Sequence, residues 1–237
     1  METIYHPSAE RGHVNFGWLD SHHSFSFGNW HDREKVHFGA LRVLNDDVVK
    51  GGKGFDDQPH ENMEIIAIPL KGALAHKDSI GTEKIVYTGD VQIMSAGSGI
   101  SHSEYNASHY DNANFLQIWI FPKQPGIRPR HDQRSFHADD RKDKWQVVVS
   151  PRAEDHALWI NQDARLALAR ISSENTLTYR PAFPGNGIYL FVLEGNITAE
   201  GRTLDRRDGI GIAGIEQVSV IANTDAEVLA IEVPMFG

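Results

Sequence analysis

The chain has 237 residues, of which 40% are hydrophobic and none is cysteine. This length allows one large or two modest domains with a buried core, and the lack of cysteine excludes disulfides, thiolate metal sites and cysteine nucleophiles. A net charge of −9 with scattered basic residues argues against direct nucleic acid binding. Because no apolar run reaches the length of a membrane span and no export signal is seen, the sequence predicts a cytoplasmic protein that does not use a membrane.

The chain is predicted to be almost entirely β-strand. Short runs rich in Val, Ile, Phe and Tyr alternate with turn residues, and the chain contains 21 glycines and 10 prolines. Apolar and polar residues alternate at 24–27 and at 116–120, as expected for strands with one buried face. Residues 141–145 are the one weakly helical segment. The pattern therefore favours an all-β fold with two layers of sheet.

The first polar cluster of interest is the segment QPH, which contains Gln58 and His60. Side chains two apart on a strand point to the same face, so these two are predicted to project together. Regular alternation would direct Glu64 to the same face as His60. A histidine at position 58 would make the segment an obvious half of a metal site, whereas glutamine offers only a neutral amide oxygen.

A second polar cluster with the same spacing contains His102 and Glu104, on a later predicted strand. Two imidazoles and one carboxylate, with positions left open, form the ligand set of non-haem iron and related oxygen-activating metals. For any single histidine a hydrogen-bonded structural role is the simpler interpretation, but the two clusters together favour a metal site. Its candidate ligands are Gln58, His60, His102 and Glu104. The other histidines near these segments, His22, His23, His31 and His76, are predicted to have core or surface roles, with a place in the cavity lining as the alternative.

An internal repeat relates the two halves of the chain. Residues 65–72 (IIAIPLKG) align with residues 188–195 (IYLFVLEG), and Asp90 aligns with Asp208 after a shorter hairpin. The shared order of apolar strands and Gly or Asp turns indicates a duplicated β unit.

The repeat predicts two domains, residues 1–132 and 133–237. The boundary between them falls in the proline-rich and charged stretch that joins the two copies. At the aligned offsets the four candidate ligands correspond to Pro181, Phe183, Val220 and Ala222, which are all apolar. The metal site is therefore expected in the first domain only, with the second domain acting as a packing scaffold.

Several segments resemble a known family. Residues 54–72, which contain QPHENME, resemble the first cupin motif, and residues 89–106 resemble the second. More narrowly, five segments together resemble the pirin family, whose members include bacterial quercetin 2,3-dioxygenases. These segments are 17–32 (GWLDSHHSFSFGNWHD), 41–49 (LRVLNDDVV), 76–81 (HKDSIG), 93–106 (IMSAGSGISHSEYN) and 117–122 (QIWIFP). The resemblance spans nearly the whole chain.

The pirin resemblance implies a bicupin, in which two jelly-roll-like β-barrel domains face each other and the first holds the metal. The family's metal site of three histidines and one glutamate falls on Gln58, His60, His102 and Glu104, so Gln58 departs from the family pattern. The alternative for Gln58 is a hydrogen-bonding strand residue with no metal contact. The resemblance favours Glu104 over Glu64 as the carboxylate ligand. It implies one divalent transition metal, with Fe(II) the first choice and Mn, Ni, Cu or Zn as alternatives, and Gln58 would weaken its binding or favour manganese.

The implied activity is a dioxygenation of a small aromatic substrate by O2. In a quercetinase-like reaction Glu104 would act as the catalytic base that takes the proton of a flavonol 3-hydroxyl, and the central ring would open with release of carbon monoxide. The alternatives are a non-catalytic metal-binding or redox-sensing protein that acts through a regulatory protein partner, and a structural bicupin without metal. The protein is expected to be a monomer.

Overall fold

A computed structural model describes residues 1–236, and nearly all regular structure in this part of the chain is β-strand. The strands are β1 Glu2–His6, β2 Gly12–Asn15, β3 Leu19–His23, β4 Leu41–Val49, β5 Gly54–His60, β6 Glu64–Lys71, β7 Ala73–Asp78, β8 Glu83–Tyr87, β9 Asp90–Ser95, β10 Ile100–Asn106, β11 Ala113–Ile120, β12 Arg130–Ser135, β13 Gln146–Val149, β14 Arg165–Ile171, β15 Thr176–Tyr179, β16 Asn186–Glu194, β17 Ile197–Ala199, β18 Arg202–Leu204, β19 Gly209–Ala213, β20 Val218–Ala222 and β21 Ala226–Pro234. Short 3₁₀ helices are formed by Ser8–Glu10, Ala138–Arg141 and Ala153–Asp155. The predicted all-β class is confirmed.

Glycine turns separate short successive strands, so the chain contains few long segments with helical spacing. Gly72 and Gly89 adopt φ angles of 77° and 97°, in the left-handed region that favours glycine, and they close the β6–β7 and β8–β9 turns. The segment predicted to be weakly helical overlaps the 3₁₀ helix Ala138–Arg141 at Arg141 alone. Within residues 1–236, no helix has the length and apolar character needed to cross a membrane.

The first half of the chain forms two facing sheets. The larger has the strand order β12-β9-β6-β11-β4-β3-β2, and the smaller has the order β5-β10-β7-β8. Buried side chains from both sheets pack together at one end, including Val49 and Phe115 from the larger sheet and Leu74 and Val86 from the smaller. In the described residues these strands form two separate ladders, rather than one closed barrel.

The second half repeats this arrangement. Its larger sheet has the order β1-β19-β16-β21-β14-β13, and its smaller sheet has the order β15-β20-β17-β18. Strands β15 to β21 therefore occupy the places that β5 to β11 occupy in the first half, as the sequence repeat predicts. The space between these two sheets is filled by apolar side chains such as Ile188, Leu190, Val220 and Ala222.

The two larger sheets pack against each other and form the main core. Leu44, Ile66 and Ile118 from the first half are buried in one cluster with Phe191 and Ile231 from the second. Full burial of a side chain of this size stabilises a fold by about 1.5–3 kcal/mol. The outer faces of both larger sheets thus form the contact between the halves. The inner face of each larger sheet packs against the smaller sheet of the same half.

One strand crosses from the first half to the second, and another extends the larger sheet of the first half. Strand β1, from the start of the chain, pairs with β19 in the second half, and β12, which precedes the second half, pairs with β9 in the first half. The predicted boundary between residues 132 and 133 falls inside β12, which spans Arg130–Ser135. The division at this position stays a prediction. The last residue of the predicted second domain, Gly237, lies outside the described residues.

Strand register corrects part of the predicted alignment between the halves. His102 lies opposite Gln58, and the equivalent Val220 lies opposite Leu177, so Leu177 and not Pro181 corresponds to Gln58. By the same pairing the counterpart of His60 is Tyr179, not Phe183. A single offset failed because the connection from β15 to β16 is longer than that from β5 to β6.

Candidate metal and substrate site

A β-bulge brings β5 into position over the inner face of the first half. Gln58 lies opposite His102 and Phe55 lies opposite Glu104, so β5 has one residue more than β10 between these two pairs. The extra residue allows Phe55 and Gln58, which have opposite parity along the strand, to line the same cavity. His60 follows two residues after Gln58 and lies on the same side.

His60 and His102 form the imidazole part of the site. Their ring centroids are 4.9 Å apart, and the His60 ring also lies 5.1 Å from the ring of Trp119. Burial and the neighbouring His102 lower the pKa of His60 to about 4, and burial likewise lowers the pKa of His102. Within the described chain, His60 Nε2 and His102 Nδ1 are buried without a hydrogen-bond partner. Both rings are therefore neutral at neutral pH and each has a nitrogen available to another ligand.

Glu104 is the carboxylate of the site and is 2% exposed. Its Oε2 accepts a hydrogen bond from the Gln117 amide, and its Oε1 lies 3.4 Å from the Gln92 amide nitrogen. Burial by itself raises the pKa of Glu104, but His76, His102 and Gln117 outweigh burial and hold the pKa below its ordinary value. Glu104 is thus a buried anion held in a fixed orientation by two amides.

His76 joins the same group, although the sequence predicted a core or surface role for it. Ligand atoms of His76, His102 and Glu104 lie within 4.8 Å of one another. His76 Nε2 lies 3.0 Å from Asp78 Oδ2, and its Nδ1 lies 4.0 Å from Glu104 Oε1. Burial alone would lower the pKa of His76, but the nearby carboxylates of Glu104 and Asp78 raise it above its ordinary value. His76 therefore lies between two carboxylates, whereas His60 and His102 each have a buried nitrogen without a hydrogen-bond partner in the described chain.

The two other predicted candidates have different surroundings. Gln58 lines the cavity and is exposed to it. Glu64, the reserve ligand, lies at the contact between the halves, where its Oε2 accepts hydrogen bonds of 2.8 Å from the Ser95 hydroxyl and 3.1 Å from the Asn161 backbone N–H. Asn62, with a left-handed φ of 48°, turns the chain between β5 and β6, so strand alternation does not continue from one to the other.

The group lies at the wall of a cavity of about 310 Å³. The cavity is lined by the apolar side chains of Val14, Phe16, Leu19, Phe27, Phe55 and Trp119, together with Gly28, and by the polar side chains of Ser21, His23, Asn29, Asn45, Asp47, Gln58, His102, Glu104 and Gln117. Phe27 and Trp119 meet edge to face with ring centroids 5.4 Å apart. Although polar residues are more numerous, most of the surface that lines the cavity is apolar, and such a cavity with fixed polar groups is typical of small-molecule sites.

A second polar group lines this cavity. The Ser21 hydroxyl donates a hydrogen bond to Asp47 Oδ1 and lies 2.8 Å from His23 Nε2. Burial raises the pKa of Asp47 to about 7, so this carboxyl is present in both protonation states at neutral pH. Asp47 can therefore donate or accept a hydrogen bond inside the cavity.

Sequence reasoning did not single out Gln92, Gln117 or Asp47. A signal was present at Gln117, which is the single polar residue in the apolar run 115–120. Gln92 sits in an uninterrupted buried strand, where alternation is hidden because both faces are covered.

Comparison with known proteins gives a consistent family assignment. A family model described as Pirin matches residues 6–120, and one described as Quercetinase C-terminal cupin domain matches residues 147–233. The chain is 42% identical over 225 residues to the Escherichia coli strain K12 protein named quercetin 2,3-dioxygenase. This match covers 95% of this chain and 96% of that protein. It is 37% identical over 227 residues to a pirin-like protein of Caulobacter vibrioides, with coverage of 95% and 97%.

A solved structure agrees with these matches over the entire fold. The crystal structure of the bacterial pirin YhhW from Escherichia coli in complex with nickel(II) has a TM-score of 0.93 and 39% sequence identity to this chain, and the match covers 99% of this chain and 100% of that one. The same family is indicated by the repeated pair of sheets, by the two family models and by these relatives. This chain belongs to the pirin family of two-domain cupin proteins.

Proposed function

We propose that this protein is a metal-dependent dioxygenase of the pirin type, which opens the central ring of a flavonol such as quercetin or acts on a similar enediol or phenolic substrate. The observation that carries the proposal is a buried, ionised Glu104 beside two neutral imidazoles, His60 and His102, whose free nitrogens have no partner within residues 1–236. The name of the Escherichia coli relative supports the substrate class.

The metal would be held by His60, His102 and Glu104, with Gln58 as a weaker fourth ligand through its amide oxygen. Neutral imidazoles and a carboxylate suit a divalent first-row transition metal. Fe(II) is our first choice and Mn, Ni, Cu or Zn are alternatives, and the nickel complex of the Escherichia coli pirin supports a divalent ion. When bound, the metal would supply a Lewis acid for the substrate oxygen and an electron path to O2.

Glu104 would remove the proton of the substrate hydroxyl. A general base must be ionised before the reaction, and the depressed pKa of Glu104 meets this requirement at neutral pH. The amides of Gln117 and Gln92 hold the carboxylate, so that its orientation does not depend on the substrate. His76 would act as a positioning residue, because it lies between Glu104 and Asp78.

The cavity would hold the aromatic rings of the substrate. Phe27, Phe55 and Trp119 provide flat apolar surfaces, and the largely apolar lining would exclude water from the reacting atoms. Ser21 and Asp47 would bind further phenolic hydroxyl groups, for which Asp47 can serve as donor or acceptor.

One experiment separates the candidate functions. Protein purified without added metal is analysed for bound metal and then tested for oxygen uptake with quercetin in an oxygen electrode, with carbon monoxide measured as the second product. Metal together with quercetin-dependent uptake is the expected result. Metal without uptake would instead support a binding protein, and protein that takes up no metal even when it is supplied would contradict the proposed site.

Trp119 offers a direct report on the metal. Because its ring lies 5.1 Å from that of His60, we expect Ni(II) or Cu(II) to quench the fluorescence of Trp119, and Trp119→Phe to remove that part of the quenching. Trp159→Phe is the matched control, since Trp159 is exposed and packs on Arg130. Equal quenching in the native protein and in Trp119→Phe would contradict a metal held at His60.

A second candidate function is a non-catalytic metal-binding or redox-sensing protein that acts through a regulatory protein partner. The observation that favours it is Gln58, since an amide oxygen binds iron, nickel or copper less well than an imidazole nitrogen. A site weakened in this way suits a protein that keeps the fold and releases its metal more readily.

A further inference from the structure

A second set of metal-ligating side chains lies on the hairpin formed by β2 and β3, outside the cavity. His13 lies directly opposite His22 in the hairpin, and Asp20 precedes His22 by two residues. Alternation puts these three side chains on one face, while Val14 and Ser21 on the other face line the cavity. We refer to His13, Asp20 and His22 as the outer triad.

The outer triad is already arranged around a common point. His13 Nε2 lies 2.7 Å from Asp20 Oδ1, and His22 Nδ1 lies 3.8 Å from the same oxygen. The two imidazole rings are stacked with centroids 4.4 Å apart and an interplanar angle of 13°. One ligand atom from each side chain lies within 4.8 Å of the other two.

We propose that the outer triad is a second binding site for a divalent transition metal of the Zn(II), Ni(II) or Cu(II) class. Two imidazoles and one carboxylate are a preferred donor set for these ions. Ligand atoms about 2.0–2.2 Å from a tetrahedral metal are about 3.3 Å from one another. The observed separations bracket this value, and rotation of the two stacked rings out of parallel would direct one nitrogen lone pair from each, together with the Asp20 carboxylate, at one ion.

The surroundings allow an ion to enter and exchange. The side chains of His13, Asp20 and His22 are 51%, 44% and 37% exposed, so water can reach the site and fill the remaining coordination positions. Arg11 and Arg207 line the adjoining groove, but both guanidinium groups are paired with Asp46 at 3.6 and 3.3 Å, which partly neutralises their charge. The outer triad therefore differs from the site in the cavity, where the ligands His102 and Glu104 are buried.

An ion at the outer triad would act on the hairpin as a whole. It would join β2 to β3 across the strand pair and so fix the register of residues whose other face forms the cavity wall, including Val14, Leu19 and Ser21. The expected effect is a higher melting temperature with metal, because an ion that binds the folded hairpin and not the unfolded chain stabilises the fold. The chemistry of Glu104 is not involved.

The test compares metal stoichiometry in variants of untagged, metal-stripped protein titrated with Zn(II) by calorimetry. The double variant His13→Gln with His22→Gln is expected to bind one equivalent fewer than the native protein. Conversely, His102→Gln is expected to retain the outer equivalent and its rise in melting temperature. A double variant His137→Gln with His156→Gln is the matched control, because both of these histidines are exposed, and it is expected to leave the stoichiometry unchanged.

The triad variants replace exposed side chains, so we expect them to fold, which circular dichroism checks. If the outer double variant binds as many equivalents as the native protein, the proposal is wrong. A loss of one equivalent in the exposed-histidine control as well would also overturn it, since the binding would then be non-specific. These readouts do not depend on turnover, so they stand even if the protein is not a dioxygenase.

Discussion

Replacing Glu104 with glutamine is expected to lower quercetin-dependent oxygen uptake by about 10²- to 10⁴-fold, the usual contribution of a general base. The change keeps the size of the side chain and an amide partner for Gln117, but it removes the charge that accepts the substrate proton. It also removes an anionic metal ligand. Oxygen uptake and bound metal must therefore be measured on the same preparation, at saturating metal.

The matched control for this variant is Glu64→Gln, which makes the same chemical change in a second buried carboxylate. Glu64 is hydrogen-bonded by Ser95 and Asn161 at the contact between the halves, so we expect unchanged turnover and at most a lower melting temperature. Full turnover in Glu104→Gln would show that Glu104 is not the base. Loss of turnover in Glu64→Gln at native stability would indicate that Glu64, and not Glu104, is the functional carboxylate.

Replacing Gln58 with histidine is expected to tighten metal binding by about 10- to 100-fold, which is the range that changes around a metal site commonly produce. Gln58 lies opposite His102 in the β5–β10 pair and lines the same cavity, so an imidazole at this position can reach the metal that His60 and His102 bind. A nitrogen donor then replaces a neutral amide oxygen. Metal affinity is measured by competition with a chromophoric chelator, and turnover with quercetin is expected to rise with occupancy.

A second substitution at the same position decides what the native glutamine does. Gln58→Leu removes every donor atom at similar size, so metal affinity falls if the amide oxygen is a ligand and stays unchanged if it only lines the cavity. An unchanged affinity in Gln58→His would contradict the assignment of this position to the metal. Because Gln58 is exposed in the cavity, neither variant is expected to lose its fold.

The positions of Gln58, His60, His102 and Glu104 could be selected from the sequence because same-face spacing is a local property of a strand. Their convergence depends on β5 pairing with β10, which spacing along one strand does not predict and which the structure contains. The inclusion of His76 could not be predicted in this way. Its partnership with Glu104 arises from the pairing of β7 with β10, and only the topology of the sheet brings these strands together.

Local turns set the limits of the sequence argument elsewhere. Asn62, in its left-handed conformation, interrupts the alternation that would have put Glu64 beside His60. A longer connection between β15 and β16 shifted the predicted counterparts of Gln58 and His60 in the second half. In the first place a few residues outside the strands decide which way a strand faces, and in the second they decide which residues correspond between the halves; periodicity carries no information about either.

The pairing of β1 with a strand of the second half also fixes an order of events during synthesis. Strand β1 leaves the ribosome first, but its partner β19, beginning at Gly209, is made about 200 residues later. At about 5–20 residues per second, β1 stays without that partner for about 10–40 seconds. The first half can complete its sheet as soon as β12 emerges, whereas the second half closes on a strand that was made before any of its own.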